Sequence, residues 1–196
     1  MANAETSLIT LQARRLDLSN RFVVVTAGFS SVARAHVGEV FRPYEDEVNV
    51  IYDEKVAEMQ KKAIKEDTEQ DLYRILSREL FVKIMQLRNS VWEMAKSVDY
   101  YLDVDFELIG KSAGAAVLLM MVSEYEKYGP FKKLTIQEPA PVKLDRRPSI
   151  EINLYWCTDD PKIPYDAKVE ESLGVKCHFF HGKTHDFISV KHYLGL

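Results

Sequence analysis

Phe106-Glu107-Leu108-Ile109-Gly110-Lys111-Ser112-Ala113-Gly114-Ala115-Ala116-Val117-Leu118-Leu119-Met120-Met121 is the stretch that organises the rest of the chain. Phe106, Leu108 and Ile109 are bulky and β-prone, so they predict a short buried strand, and the apolar run from Ala113 predicts a helix. Gly110 and Gly114 bracket Ser112 in a G-x-S-x-G spacing, where a tight turn favours positions without a Cβ. Ser112 is then expected at a strained strand-to-helix corner with its hydroxyl exposed, the geometry of a nucleophile elbow. Ala113, Gly114, Ala115 and Ala116 are small enough for the helix to start close against neighbouring strands.

The same letters end a phosphate-binding pattern, G-x-x-x-x-G-K-[ST], at Gly110-Lys111-Ser112. The spacing argues against it. The first glycine would fall on Asp105, whose carboxylate would repel phosphate, and the intervening loop would have to form from strand-prone Phe106 to Ile109. A glycine-rich turn with no chemistry is the plainer alternative to both motifs.

The chain has 196 residues, 46% of them hydrophobic, so it is expected to form one domain with a sizeable core. Its net charge is −4 with both signs mixed along the chain, which points away from nucleic-acid or anionic-membrane partners. Cys157 and Cys177 lie in apolar runs without metal-ligand or C-x-x-C spacing. They read as reduced, buried thiols of a cytoplasmic protein, although a disulfide stays open if their two strands are neighbours. Met1 to Ser7 lacks the basic start and apolar core of a secretion signal. The run from Ala113 to Val122 is too short to cross a bilayer, which takes about 20 residues.

Ser7 to Leu18 alternates loosely and suggests an edge strand or hairpin. Arg21-Phe22-Val23-Val24-Val25-Thr26 has the pattern of a strand buried on both faces of a parallel sheet. It leads through Ala27-Gly28-Phe29-Ser30-Ser31 to a helix expected over 32–41, and 48–52 follows as a strand. From Asp53 to Asp71, 11 of 19 residues are charged, with a narrow apolar stripe that predicts a surface helix. Thr68-Glu69-Gln70-Asp71 resembles a capping box, so a second helix should begin there and run to about Val98, turning Leu72, Ile75, Leu76, Val82, Leu87, Val91 and Met94 inward. Beyond Gly129-Pro130, strands are expected at 134–136, 150–156 and 175–180, with a helix over 165–173, a stop at Gly174 and a terminal helix. Strands alternating with helices predict an α/β fold with a doubly wound, mostly parallel sheet and its site at the carboxyl ends of the strands.

From roughly residue 21 to 196, the chain resembles the α/β-hydrolase superfamily. Three pieces match in the family's order: the Ser of Gly110-Lys111-Ser112-Ala113-Gly114, an Asp with a Pro four residues on at Asp160 and Pro164, and a His after the last strand in Gly182-Lys183-Thr184-His185. The resemblance implies a serine esterase or thioesterase with a Ser112, Asp160, His185 triad and an acyl-enzyme, acting on a small-molecule or acyl substrate without metal or organic cofactor. It implies an oxyanion hole from the backbone N–H of Ala113 and of Phe29 or its neighbour Ser30.

Two departures bear on this. The early loop reads Ala27-Gly28 where the family often has His-Gly, and no insertion separates the strands at 134–136 and 150–156, where many relatives carry a lid. The charged helix near 53–71 is a candidate cover instead. An α/β-hydrolase-fold binding module without turnover is therefore the alternative reading. Asp159 competes with Asp160 as the acid, while His178 and His181 read as surface or core histidines and His36 and His192 lack a partner motif. Lys111 is expected to face solvent, and Glu138 at a strand end reads as a binding group or a cap.

Overall fold

In the computed structural model the described residues are 11–13, 16–28, 37–53, 69–182, 185–187 and 190–196. Seven strands form one sheet: β1 (Leu11–Ala13), β2 (Arg21–Thr26), β3 (Val48–Asp53), β4 (Phe106–Lys111), β5 (Phe131–Gln137), β6 (Glu151–Cys157) and β7 (Cys177–Phe180), in the order β1-β3-β2-β4-β5-β6-β7. β2 to β7 pair in parallel, and β1 closes one edge antiparallel to β3. The valines of β2 are inaccessible because β3 and β4 flank the strand and both of its faces are covered. The chain winds one way from β2 to β3 and the other way from β4, so the sheet's switch point lies between β2 and β4, where such folds open a crevice.

Strand alternation divides the core between two layers. Phe22, Val24, Phe106, Leu108, Leu134, Leu154 and Trp156 pack on one face with α1 (Glu69–Ser97) and α2 (Ala113–Tyr125). Val23, Val25, Ile109 and Tyr155 pack on the other with Phe41, from the helical residues 37–41, and with Val190, Tyr193 and Leu194 of a C-terminal helix. Between β6 and β7 runs α3 (Ala167–Leu173), capped by the Asp166 side chain and ended by Gly174 at φ 60°. The C-terminal helix is α4 (Val190–Leu194). The connection from β5 to β6, residues 138–150, holds no helix, so no cap is inserted there. None of the described helices is long and apolar enough to cross a membrane.

Several expectations need correction. α1 buries Leu72, Tyr73, Leu76, Ser77, Leu80, Ile84, Val91 and Ala95, while Ile75, Val82 and Met94 stand exposed. The true stripe advances mostly in steps of four, which admits Ser77 and Ala95 on position and leaves off-stripe apolar residues in solvent. β5 begins at Phe131 rather than Leu134, and β7 at Cys177 rather than Val175. Both cysteines are free; Cys157 is buried but Cys177 only half so, and the register sets Cys157 opposite Phe180 rather than Cys177. The expected charged helix after Asp53, the proposed cap at Thr68 and most of the helix expected over 32–41 lie outside the described residues.

Candidate active site

The carboxyl ends of β4, β5 and β6 lie side by side, and each carries a functional side chain. β4 ends at Lys111, and Ser112 follows at φ 55° and ψ −128° before α2 begins. Only Ser112, Asp99 and Glu138 hold positive φ among the described non-glycine residues. Such a conformation costs a side-chain-bearing residue roughly 1–3 kcal/mol and persists only where its surroundings hold it. Here the Ser112 N–H donates to Gln137 O (3.1 Å), and its carbonyl accepts from Ala116 N (3.2 Å) and Ala140 N (3.0 Å). The hydroxyl makes no cap bond to α2.

The two glycines around Ser112 serve close approach. Both keep negative φ among the described residues, so the turn's unusual backbone falls on the serine itself. A Cβ on Gly114 would stand 2.5 Å from Ala27 O, and one on Gly110 2.7 Å from Ala115 Cα. The first turn of α2 thus lies against the end of β2, where Thr26 Oγ1 donates to Gly114 O at 3.0 Å. Ala113 opens α2, and the first N–H groups of a helix have no acceptor within it. Phe29 and Ser30, the expected sources of the second oxyanion donor, lie outside the described residues.

Asp160 and His185 meet although 25 residues separate them: Nδ1 of His185 lies 2.6 Å from Asp160 Oδ2. The other carboxylate oxygen accepts from the N–H groups of Lys162 (2.6 Å) and Ile163 (2.7 Å), which fixes the plane of the group. Burial pushes the Asp160 carboxyl up, but its hydrogen bonds with Ile163 N–H, His185 and Lys162 N–H outweigh that and hold it at about 2. The two loops are also joined through backbone, with Asp159 N donating to Gly182 O at 3.2 Å and Thr158 N to Phe180 O at 2.9 Å. Asp159 is exposed and contributes its backbone to this junction. His181 is exposed, and the His178 ring lies against Tyr155 at 5.2 Å between centroids.

Lys111 departs most from expectation. It is 4% exposed, and its ammonium donates to Glu138 Oε2 at 2.7 Å. Burial lowers its pKa against the pull of Glu138, Asp160 and Asp186. A lysine held this way faces the protein interior, which also removes the phosphate-binding reading of Gly110-Lys111-Ser112. Glu138 is wholly buried, with Oε1 accepting from Cys157 N at 2.9 Å and Oε2 also from Gln137 Nε2 at 3.1 Å. Its positive φ of 46° goes with a backbone bond from its N–H to Tyr155 O at 3.0 Å.

Gln137 adds a further support that motif spacing does not reveal. Its Nε2 donates to the carbonyl of Asp186, next to His185, at 2.8 Å, and its Oε1 accepts from Tyr193 OH on α4 at 2.8 Å. The one local signal for these residues is that the buried strands β4 and β5 end in polar groups, Lys111 and Gln137-Glu138.

Glu138, Asp160 and His185 are also the one group of histidine, cysteine and acidic side chains, among the described residues, close enough to hold a metal ion together. The donor set does not favour one. Glu138 Oε2 already carries the Lys111 ammonium, Asp160 Oδ1 two backbone N–H groups and Asp160 Oδ2 the imidazole.

No family model matches the chain, and no curated protein matches it. Solved structures do. Esterase PE8 superposes with a TM-score of 0.66 at 15% identity, over 95% of each chain. The Bacillus cereus carboxylesterase superposes with a TM-score of 0.59 at 15% identity, over 97% of this chain and 91% of its own. Est1E from Butyrivibrio proteoclasticus, in a structure with ferulic acid bound, gives 0.59 at 14% identity, over 95% of this chain and 91% of its own. Identities this low establish architecture: the chain has the α/β-hydrolase fold.

Proposed function

We propose that the protein is a serine hydrolase that cleaves a carboxylic ester or thioester through an acyl-enzyme on Ser112. The observation that carries this reading is the 2.6 Å contact between His185 Nδ1 and Asp160 Oδ2 at the same end of the sheet as Ser112. A serine hydroxyl is a poor nucleophile at neutral pH and needs a base. With Nδ1–H donated to Asp160, the imidazole keeps Nε2 as its basic nitrogen.

In the first half-reaction Nε2 takes the Ser112 proton as Oγ bonds to the substrate carbonyl carbon. It then returns that proton to the departing alcohol or thiol as the carbon–leaving-group bond breaks. Water, activated by the same nitrogen, attacks the acyl-enzyme and releases the carboxylic acid and free Ser112. Asp160 holds the tautomer and stabilises the imidazolium. The negative oxygen of each tetrahedral intermediate is met by the Ala113 N–H, and loss of one such donor typically costs about 3–4 kcal/mol of barrier. A carboxylic acid product is the class that ferulic acid in Est1E represents.

A fluorophosphonate probe tests the assignment. Wild-type protein is expected to be labelled and Ser112→Ala to be silent. Labelling that survives Ser112→Ala, or absence of labelling and of p-nitrophenyl ester turnover in the wild type, overturns it.

A further inference from the structure

The chemistry above uses three side chains and leaves a buried ion pair without a role. Glu138 Oε2 stands 3.4 Å from His185 Nδ1, so the ring nitrogen faces two carboxylates, with Asp160 at 2.6 Å. The nearest side-chain atoms of the three residues lie within 4.8 Å of one another. Two anionic carboxylates that close to one imidazole favour its protonated form, and a protonated imidazole cannot act as a base. The Lys111 ammonium, on the same Glu138 oxygen at 2.7 Å, offsets one of them.

The placement is also built rather than incidental. Lys111 precedes Ser112 directly, Glu138 is turned inward at a strained φ of 46°, and neither side chain reaches solvent appreciably, at 6% and 0% exposure. A buried lysine–glutamate pair often adds little stability over apolar replacements, so stability alone does not account for it.

Building on the triad reading, we propose that Lys111 and Glu138 are positioning residues for His185. Glu138 is a second carboxylate on its Nδ1 side, and Lys111 cancels that charge so that the ring works against Asp160 alone. Among the described residues, the other groups acting on this cluster are Asp160 from the end of β6, Asp186 beside His185, and Cys177 of β7, which feels the charge of Glu138. Asp160 and Asp186 are the same in every variant below, so changes report on the pair.

The experiment follows the His185 imidazole by NMR across pH, in the full chain with 13C-labelled histidine, in wild type, Lys111→Met, Glu138→Gln and the double variant. Removing the cation alone leaves two carboxylates on the ring, and its titration midpoint should rise by about one pH unit. Removing the carboxylate alone leaves an uncompensated ammonium nearby, and the midpoint should fall by a similar amount. The double variant should return to within about 0.3 unit of wild type, because the two changes act on one interaction. Midpoints unmoved in both single variants, with near-UV circular dichroism showing native packing, overturn the proposal. If a single variant does not fold, the double variant and the other single variant still decide it, since one must match wild type and the other must not. Ring titration needs no turnover, so an inert Ser112 would defeat the hydrolase reading through the fluorophosphonate probe while leaving these shifts to be read separately.

Discussion

Asp160 grips His185 with one oxygen and the backbone of its own loop with the other. The 2.6 Å contact to Nδ1 uses Oδ2, and the N–H groups of Lys162 and Ile163 hold Oδ1. A carboxylate clamped on both sides orients the ring it touches. Asp160→Asn keeps the shape and loses the charge, so it is expected to lower kcat on p-nitrophenyl esters by roughly ten-thousand-fold while changing KM little. A loss under tenfold would mean that Asp160 is not the acid.

The same clamp makes stability depend on pH in a defined window. The carboxyl sits at about 2 in the folded protein against 3.8 for the free group. A depressed folded-state pKa favours folding above the unfolded value and loses that contribution as pH falls from about 3.8 through about 2, on the order of 2 kcal/mol in all. Urea unfolding at pH 7 and pH 3 should therefore show a steeper acid loss for wild type than for Asp160→Asn.

Ser112 trades stability for its position. At φ 55° and ψ −128° it occupies backbone space that glycine enters freely. Ser112→Gly is expected to raise the unfolding free energy by about 1 kcal/mol while abolishing probe labelling, and Ser112→Ala to abolish labelling without that gain. Equal stability of the two variants in urea would show that the corner is unstrained.

Gly114 lets α2 pack this closely against β2. A Cβ there would meet Ala27 O at 2.5 Å, a backbone atom with no rotamer to change. Gly114→Ala should cost about 1–3 kcal/mol by chemical denaturation and also reduce activity, since the shift passes to Ser112 and Ala113.

The corrected face of α1 predicts unequal costs for similar truncations. Ile84 is inaccessible and Ile75 is 48% exposed. Ile84→Ala is expected to destabilise by about 2–5 kcal/mol and Ile75→Ala by no more than about 0.5 kcal/mol, measured by urea unfolding.

Much of the architecture was legible in short stretches of sequence, because β-branched runs, alternation and turn residues are local properties. Arg21–Thr26 and Glu151–Cys157 stand as strands close to where their patterns put them, and Gly174 ends α3 as its place in the sequence suggests. The α1 stripe was less legible: choosing inward residues by hydrophobicity promoted Ile75, Val82 and Met94 and passed over Ser77 and Ala95. Burial there is a matter of angle around the helix and of what packs opposite.

By itself, then, the chain's order of residues determined an alternating α/β sheet and put Ser112 between a strand and a helix. It also marked Asp160 and His185 for the ends of later strands. Tertiary structure alone decided which groups face one another: that Lys111 turns inward to Glu138 across 27 residues, and that Gln137 ties the carbonyl of Asp186 to β5 across 49. Spacing along a chain encodes periodicity and turns. The sign and burial of a charge's surroundings arise only when strand ends distant in sequence are laid side by side, and a lysine that reads as a surface residue becomes a buried counter-ion.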